Sequence, residues 1–190
     1  MAAVETPRVT PGWNAVDFHL KGTDGKVYSL ADVKRPKGLL VMFICNHCPF
    51  VQAIAPKLTR DAKDLAAIGI GSVAIMPNDT ATYPDDSFDN MVRFKEKHGF
   101  PFPYLLDATQ EVAKAYDAVC TPDFFGFDAD LTLRYRGRLD ASGRNPVEGG
   151  KRSFSKPCGR SRRPARRPPN RRRVSAARSN GVQLEREGPD

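Results

Sequence analysis

The sequence predicts an α/β domain: a central mixed β-sheet flanked by helices, opened by an N-terminal β-hairpin and followed by a disordered basic tail. Three observations carry that prediction. Gly38-Leu-Leu-Val-Met-Phe-Ile44 is a continuous apolar run, the pattern of a strand covered on both faces. Helical spacing follows directly, with Val51, Ile54, Leu58 and Leu65 on one side. Near the other end, Asp123–Phe127 and Leu131–Arg138 alternate around Asp128-Ala-Asp130, which reads as a second β-hairpin.

The remaining elements follow in order. Val16–Leu20 and Lys26–Leu30 read as strands around the turn Gly22-Thr-Asp-Gly25. Pro56 falls inside the first helix and should kink rather than end it, because the apolar spacing continues beyond it. Ile68–Met76 is a second buried strand, and the polar, Pro-containing segment 77–87 a loop. Phe88–His98 is a helix closed by Gly99, with Met91, Val92 and Phe94 apolar. Pro103–Leu106 is a short extended piece, and Thr109–Tyr116 a short helix capped by Asp107 or Thr109. Alternating strands and helices imply a parallel central pair, with the terminal hairpin adding antiparallel strands.

The chain has 190 residues and a net charge of +8. That charge is local. Residues 151–190 carry 13 Lys+Arg against three Asp+Glu, so the rest is slightly acidic. A nucleic-acid reading would rest on the tail alone, and nucleic acid is not the expected partner. No apolar run follows a basic start, and no stretch of about 18 apolar residues exists, so neither a secretory signal nor a membrane span is expected. A cytoplasmic location is the expectation. The domain plan is a flexible N-terminus over residues 1–12, one domain over 13–145 and the Arg-rich tail over 146–190.

The chemistry is carried by Cys45-Asn46-His47-Cys48, where the buried strand gives way to the helix. A helix N-terminus offers unpaired N–H groups and partial positive charge, which favour thiolate over thiol. A two-residue spacer keeps two sulfurs within reach of one bond. On this reading Cys45, at the strand end, is the exposed nucleophile and Cys48, inside the helix, the shielded resolving thiol. His47 is a polar neighbour that tunes the Cys45 thiolate. The spacing also suits zinc, for which His47, Cys120, His19 and His98 are the further ligands to weigh, but none of them forms a second close pair. Redox chemistry is therefore the leading reading, with no metal and no cofactor. Thr121-Pro122, one unit downstream and just before the hairpin, is the second element of interest. In its plain reading it is a proline that starts a strand. In its functional reading it is a cis peptide set against the dithiol. Cys120 reads first as a small buried hydrophobe. His19 and His98 read as surface residues, with His98 complementing a helix C-terminus, and Phe124, Phe125 and Phe127 read as core.

The segments FICNHCPF (Phe43–Phe50), VCTPDFFGFDAD (Val119–Asp130) and YRGRLD (Tyr135–Asp140) resemble the thioredoxin-like superfamily. Within it they are most similar to the bacterial redoxin group of alkyl hydroperoxide reductase and thiol-specific antioxidant proteins. VDFHLKGTDGKVYSL resembles that group's opening hairpin, and the resemblance spans roughly residues 10–145. It implies a thioredoxin-like fold, a redox-active Cys45/Cys48 pair, and a cis Pro122 with Thr121 beside the sulfurs. The implied activity is thiol–disulfide oxidoreduction through a mixed disulfide. Its partners would be disulfide-containing proteins or small thiols and a dithiol reductant. Two features of the family are missing. Its peroxidases carry Pro-x-x-x-Thr-x-x-Cys, whereas Met42 stands three residues before Cys45, so a thiol-dependent peroxidase is the alternative rather than the leading activity. Thioredoxins carry an Asp six residues before the first cysteine, where this chain has Leu39, so the base serving Cys48 is not identified. An alternative of another class is a zinc- or nucleic-acid-binding module.

Residues 151–190 show no periodicity and read as disordered. Their sequence is also compatible with a frameshifted terminus. Codons open to residues 152–164, read one base earlier, encode Glu-Leu-Phe-Glu-Ala-Met-Arg-Ala-Val-Ala-Glu-Thr, an amphipathic helix of good helix formers. On that reading Cys158 has no role.

Overall fold

A computed structural model describes residues 12–139. The expectations for residues 1–11 and 140–190, including the tail, its frameshift and Cys158, lie outside the described residues, as does the end of the domain at 145.

The strands are β1 (His19–Gly22), β2 (Val27–Ser29), β3 (Gly38–Phe43), β4 (Ile70–Met76), β5 (Tyr104–Leu106), β6 (Asp123–Phe127) and β7 (Leu133–Gly137). The helices are α1 (Leu30–Val33), α2 (Pro49–Ala67), α3 (Phe88–His98) and α4 (Glu111–Ala115), with a 3-10 turn at Pro84–Asp86. The strands form one sheet in the order β2-β1-β5-β4-β3-β6-β7. β3 pairs parallel with β4, and β4 with β5, while the other pairs are antiparallel. The expected parallel pair is thus extended by a third strand.

β3 is the axis of the domain, and all six of its residues are buried. Its side chains alternate between two cores, as a period of two requires. Leu40 and Met42 join Val51, Ile54, Leu58, Met91, Phe94 and Phe124 on the side of α2 and α3. Leu39, Val41 and Phe43 join Leu30, Val33, Ala113, Tyr116, Phe125 and Phe127 on the other. A strand covered on both faces has no polar positions, which is why it reads as an unbroken apolar run.

The boundaries differ from the expectation where capping chemistry intervenes. Leu30 does not end a strand but opens α1, fixed by a capping box in which the Asp32 carboxylate accepts from the Ser29 backbone N–H. Ile68 is not in β4. It terminates α2 and is 53% exposed, and β4 starts only after Gly69, whose φ of +84° reverses the chain. α2 runs unbroken across Pro56. α3 ends at Gly99 in the left-handed conformation, as expected. The N-cap of α4 is Gln110 rather than Asp107 or Thr109. Asp107 still serves the helix, accepting from the Ala113 N–H at 2.8 Å.

Candidate active site

The sheet register brings the two sequence motifs together. β3 ends at Phe43 and pairs it with Asp123, the first residue of β6. One step beyond the ladder, Ile44-Cys45 therefore runs beside Thr121-Pro122. The Thr121–Pro122 peptide is cis, and Cys45 Sγ and Thr121 Oγ1 are hydrogen-bonded at 3.1 Å. Cys48 Sγ lies 3.5 Å from the Thr121 carbonyl oxygen. Cys45, Cys48 and Cys120 are all thiols.

The exposure expected of the two thiols is reversed. Cys45 is only 1% exposed, whereas Cys48 is half-buried. The reason is where the helix begins. α2 opens at Pro49 with Cys48 as its N-cap, so the helix N-terminus belongs to the second cysteine and not the first. Pro at the first helical position lacks the N–H that this position leaves orphaned in any case, which favours the start there. A hydrogen bond from Cys45 and backbone N–H bonds from Val51 and Phe50 outweigh burial and lower the Cys48 thiol to about 6. The Cys45 thiol is pushed upward, chiefly by that same hydrogen bond to Cys48 and then by burial. Both directions favour ionisation of Cys48 over Cys45.

The spacer residues are fixed by a group that motif reading missed. Asp86, from the 3-10 turn, is fully buried. One of its oxygens accepts from the backbone N–H groups of Asn46 (2.7 Å) and His47 (3.3 Å). The other meets His47 Nδ1 at 2.7 Å and accepts from Asn78 Nδ2 at 2.7 Å. Asn46 is buried and fully engaged. Its Nδ2 donates to the Asp85 carbonyl, its Oδ1 accepts from the Tyr104 hydroxyl, and its carbonyl accepts from Gln52 Nε2. His47, a third exposed, stacks on Tyr83 with ring centroids 5.1 Å apart. The sequence holds little signal for Asp86, because nothing in a polar loop marks one carboxylate of Asp85-Asp86 as buried.

Cys45, His47 and Asp86 form a possible cation ligand set, with ligand atoms within 4.8 Å of one another. Both Asp86 oxygens already meet nitrogen donors, so a cation would have to displace existing bonds. The cluster therefore reads as a hydrogen-bonded assembly. The other residues considered for zinc do not join it. His19 is exposed on β1, and Cys120 is half-buried rather than core. His98 closes the last turn of α3, as expected, but is half-buried rather than a surface residue. It packs against Phe94 and Phe100, and burial lowers its ring below the ordinary histidine value. Phe124, Phe125 and Phe127 are core, as expected, on opposite faces of the sheet.

A mixed sheet that sets a dithiol at a helix mouth, against a cis-proline loop, defines a thiol redox protein of thioredoxin-like fold. The comparisons agree. The chain belongs to the AhpC/TSA family, whose model matches residues 11–136. It is similar to an uncharacterised conserved protein from Geobacillus kaustophilus, at 51% identity and a TM-score of 0.74 over 78% of each chain. It is also similar to peroxiredoxin Bcp of Bacillus subtilis, 26% identical over 70% of this chain and 80% of that one. Thiol-disulfide oxidoreductase ResA of Geobacillus thermodenitrificans is 25% identical, over 65% of this chain and 67% of its own. Among the described residues no helix is long and apolar enough to cross a membrane.

Proposed function

We propose that the protein is a thiol–disulfide oxidoreductase in which Cys48 attacks a substrate disulfide and Cys45 resolves the mixed disulfide, the reverse of the order expected from position in the motif. The carrying observation is the location of the helix mouth. Cys48 caps α2, is the more exposed of the pair, and has its thiol lowered to about 6, which favours its thiolate over that of Cys45. Exchange needs a thiolate, an accessible sulfur and a second thiol within reach. Cys45, hydrogen-bonded to Cys48 from beneath, supplies the last. Thr121 and Pro122 form the wall opposite the pair, with the Thr121 hydroxyl steadying Cys45. His47, expected to tune Cys45, is held by Asp86 and Tyr83 and lines the approach to the pair. The substrates are disulfide-bearing proteins or small thiols, and an external dithiol returns the pair to its reduced form.

Insulin-disulfide reduction by the full chain, with Cys45→Ser and Cys48→Ser, tests this reading. Wild type turns over, Cys48→Ser is inactive, and Cys45→Ser accumulates a mixed disulfide visible by mass. Accumulation on Cys48→Ser instead restores the original order. The peroxiredoxin relative supports a second reading, a thiol-dependent peroxidase. Peroxide consumption that survives Cys45→Ser, without insulin reduction, selects it.

A further inference from the structure

At the end of the sheet away from the dithiol, the strand ladder has a gap. β3 and β4 run parallel; the dithiol follows the end of β3, whereas the gap lies at the start of β4. β4 meets β5 only at Ala74–Met76, where the Ala74 N–H donates to the Pro103 carbonyl. The segment that would carry β5 further is Phe100-Pro-Phe-Pro103. Its two prolines lack the N–H that a ladder needs, so pairing stops there. Backbone groups alternate in direction along a strand, so Ile70 and Ser72 turn N–H and C=O the same way as Ala74, toward an edge with no strand opposite. The gap opens into a cleft of about 480 Å³, within the range of small-ligand sites. Val33 of α1 lines one side, Ala62 of α2 the other, and Phe102 lies between them. The Ser72 hydroxyl, also in the lining, is buried and has no hydrogen-bond partner among the described residues. An unpaired buried hydroxyl is destabilising, and a ligand hydrogen bond removes that cost. The rim is cationic. Arg35 is held in place by reciprocal backbone bonds with Gly38 and by its Nη1, which donates to the Ala66 carbonyl at 3.3 Å. Lys63 stands on the α2 side, and both cations are exposed with no ion pair among the described residues. Asp32, the acid in the lining, has one oxygen taken by Ser29.

We propose that this cleft binds a small apolar carboxylate that carries an amide, of the N-acyl amino acid class. Each feature of the cleft selects one part of that ligand. The open edge at Ile70 and Ser72 offers backbone donors and acceptors, which an amide matches, and the Ser72 hydroxyl gains a partner. The space between Val33, Ala62 and Phe102 takes an apolar side chain. Arg35 and Lys63 take the carboxylate through charge-assisted hydrogen bonds, which fixes the sign of the ligand's charge. A fatty acid would leave the strand edge unpaired, and a neutral amide would leave the two cations unused. The site is separate from the dithiol and does not depend on the exchange reading.

The test is a titration of the full chain with N-acetyl-leucinate, followed by proton–nitrogen NMR. The backbone amides of Ile70 and Ser72 are expected to shift and saturate. No saturable shift at either amide up to about 10 mM ligand overturns the proposal. N-acetyl-leucinamide, which lacks the carboxylate, and the Arg35→Glu variant are each expected to give binding about tenfold weaker. Equal binding of the uncharged compound, or undiminished binding to Arg35→Glu, overturns it as well. An unchanged amide spectrum away from the cleft shows that the variant is folded. Ser72→Ala distinguishes a ligand site from a packing position. Loss of an unpaired hydroxyl should raise the urea midpoint of the ligand-free chain while weakening binding about threefold. Unchanged affinity, or a lowered midpoint, counts against the cleft as the ligand's seat and overturns the proposal.

Discussion

Two fully buried carboxylates, Asp86 in the 3-10 turn and Asp123 at the start of β6, are treated differently by the fold. Asp123 follows Pro122 directly and is ion-paired. Arg136 on β7 bonds one of its oxygens through Nη2 at 2.9 Å and Nε at 3.2 Å. The Arg136 side chain is 3% exposed and lies over the Phe125 ring. The other Asp123 oxygen has no hydrogen-bond partner among the described residues, and burial raises the carboxyl despite the Arg136 charge. Asp86 has both oxygens engaged, one of them by the His47 ring, and no Lys or Arg partner among the described residues. A neutralised pair fixes geometry, here the strand that carries the proline loop. A carboxylate held by N–H groups and an imidazole, with no Lys or Arg, retains its electrostatic influence on the neighbouring Cys45 thiol, which it helps to raise.

That contrast is open to experiment. The largest effect is expected at the sulfurs. Cys48→Ser should lower the exchange rate on the order of 10³-fold or more, since it removes the nucleophile. In reaction with the aromatic disulfide dithiobis-nitrobenzoate, Cys45→Ser should spare the first thiol release, made by Cys48. Stopped-flow release of nitrothiobenzoate reads both. Next comes the ion pair. Arg136→Met leaves Asp123 buried without its partner and should cost about 3–5 kcal/mol, seen as a lower urea midpoint. The double variant Arg136→Met/Asp123→Asn should recover most of that loss. If the single variant is as stable as wild type, Asp123 has a partner of comparable strength and the contrast with Asp86 disappears. The third effect is in pH. A thiol lowered to about 6 is thiolate above that value, so iodoacetamide alkylation of Cys48 should be flat above pH 7 and fall about tenfold per unit below pH 5. A midpoint near the ordinary 8.5 of a free thiol would remove the helix-mouth argument. The smallest effect is expected at Tyr83, which is 48% exposed and contacts His47 by stacking. Tyr83→Ala should change stability by no more than about 0.5 kcal/mol and the alkylation rate by less than about threefold.

Much of the scaffold was legible in the chain itself. The unbroken apolar run of β3, the amphipathic α2 and the Gly99 stop of α3 are local signals, and each element forms where its pattern places it. α1 was missed although Ser29-Leu-Ala-Asp32 carries the capping-box pattern, because four residues offer too little periodicity beside a strand-like neighbour. Within the site, the sequence singled out Cys45, His47, Cys48, Thr121 and Pro122, and the structure gathers all five. It did not show which cysteine caps the helix. A strand end and a helix start were read as adjoining, whereas Ile44–His47 intervenes as a short loop.

What the sequence by itself determined is the inventory: an α/β domain, a close pair of thiols at a strand–helix junction, and a Thr-Pro ahead of a hairpin. These follow from local patterns and from covalent spacing. The tertiary structure alone decided which sulfur is exposed and which carboxylate faces it. Burial and the pairing of Asp86 with residues some 40 positions away depend on how distant segments converge, and no local pattern encodes that.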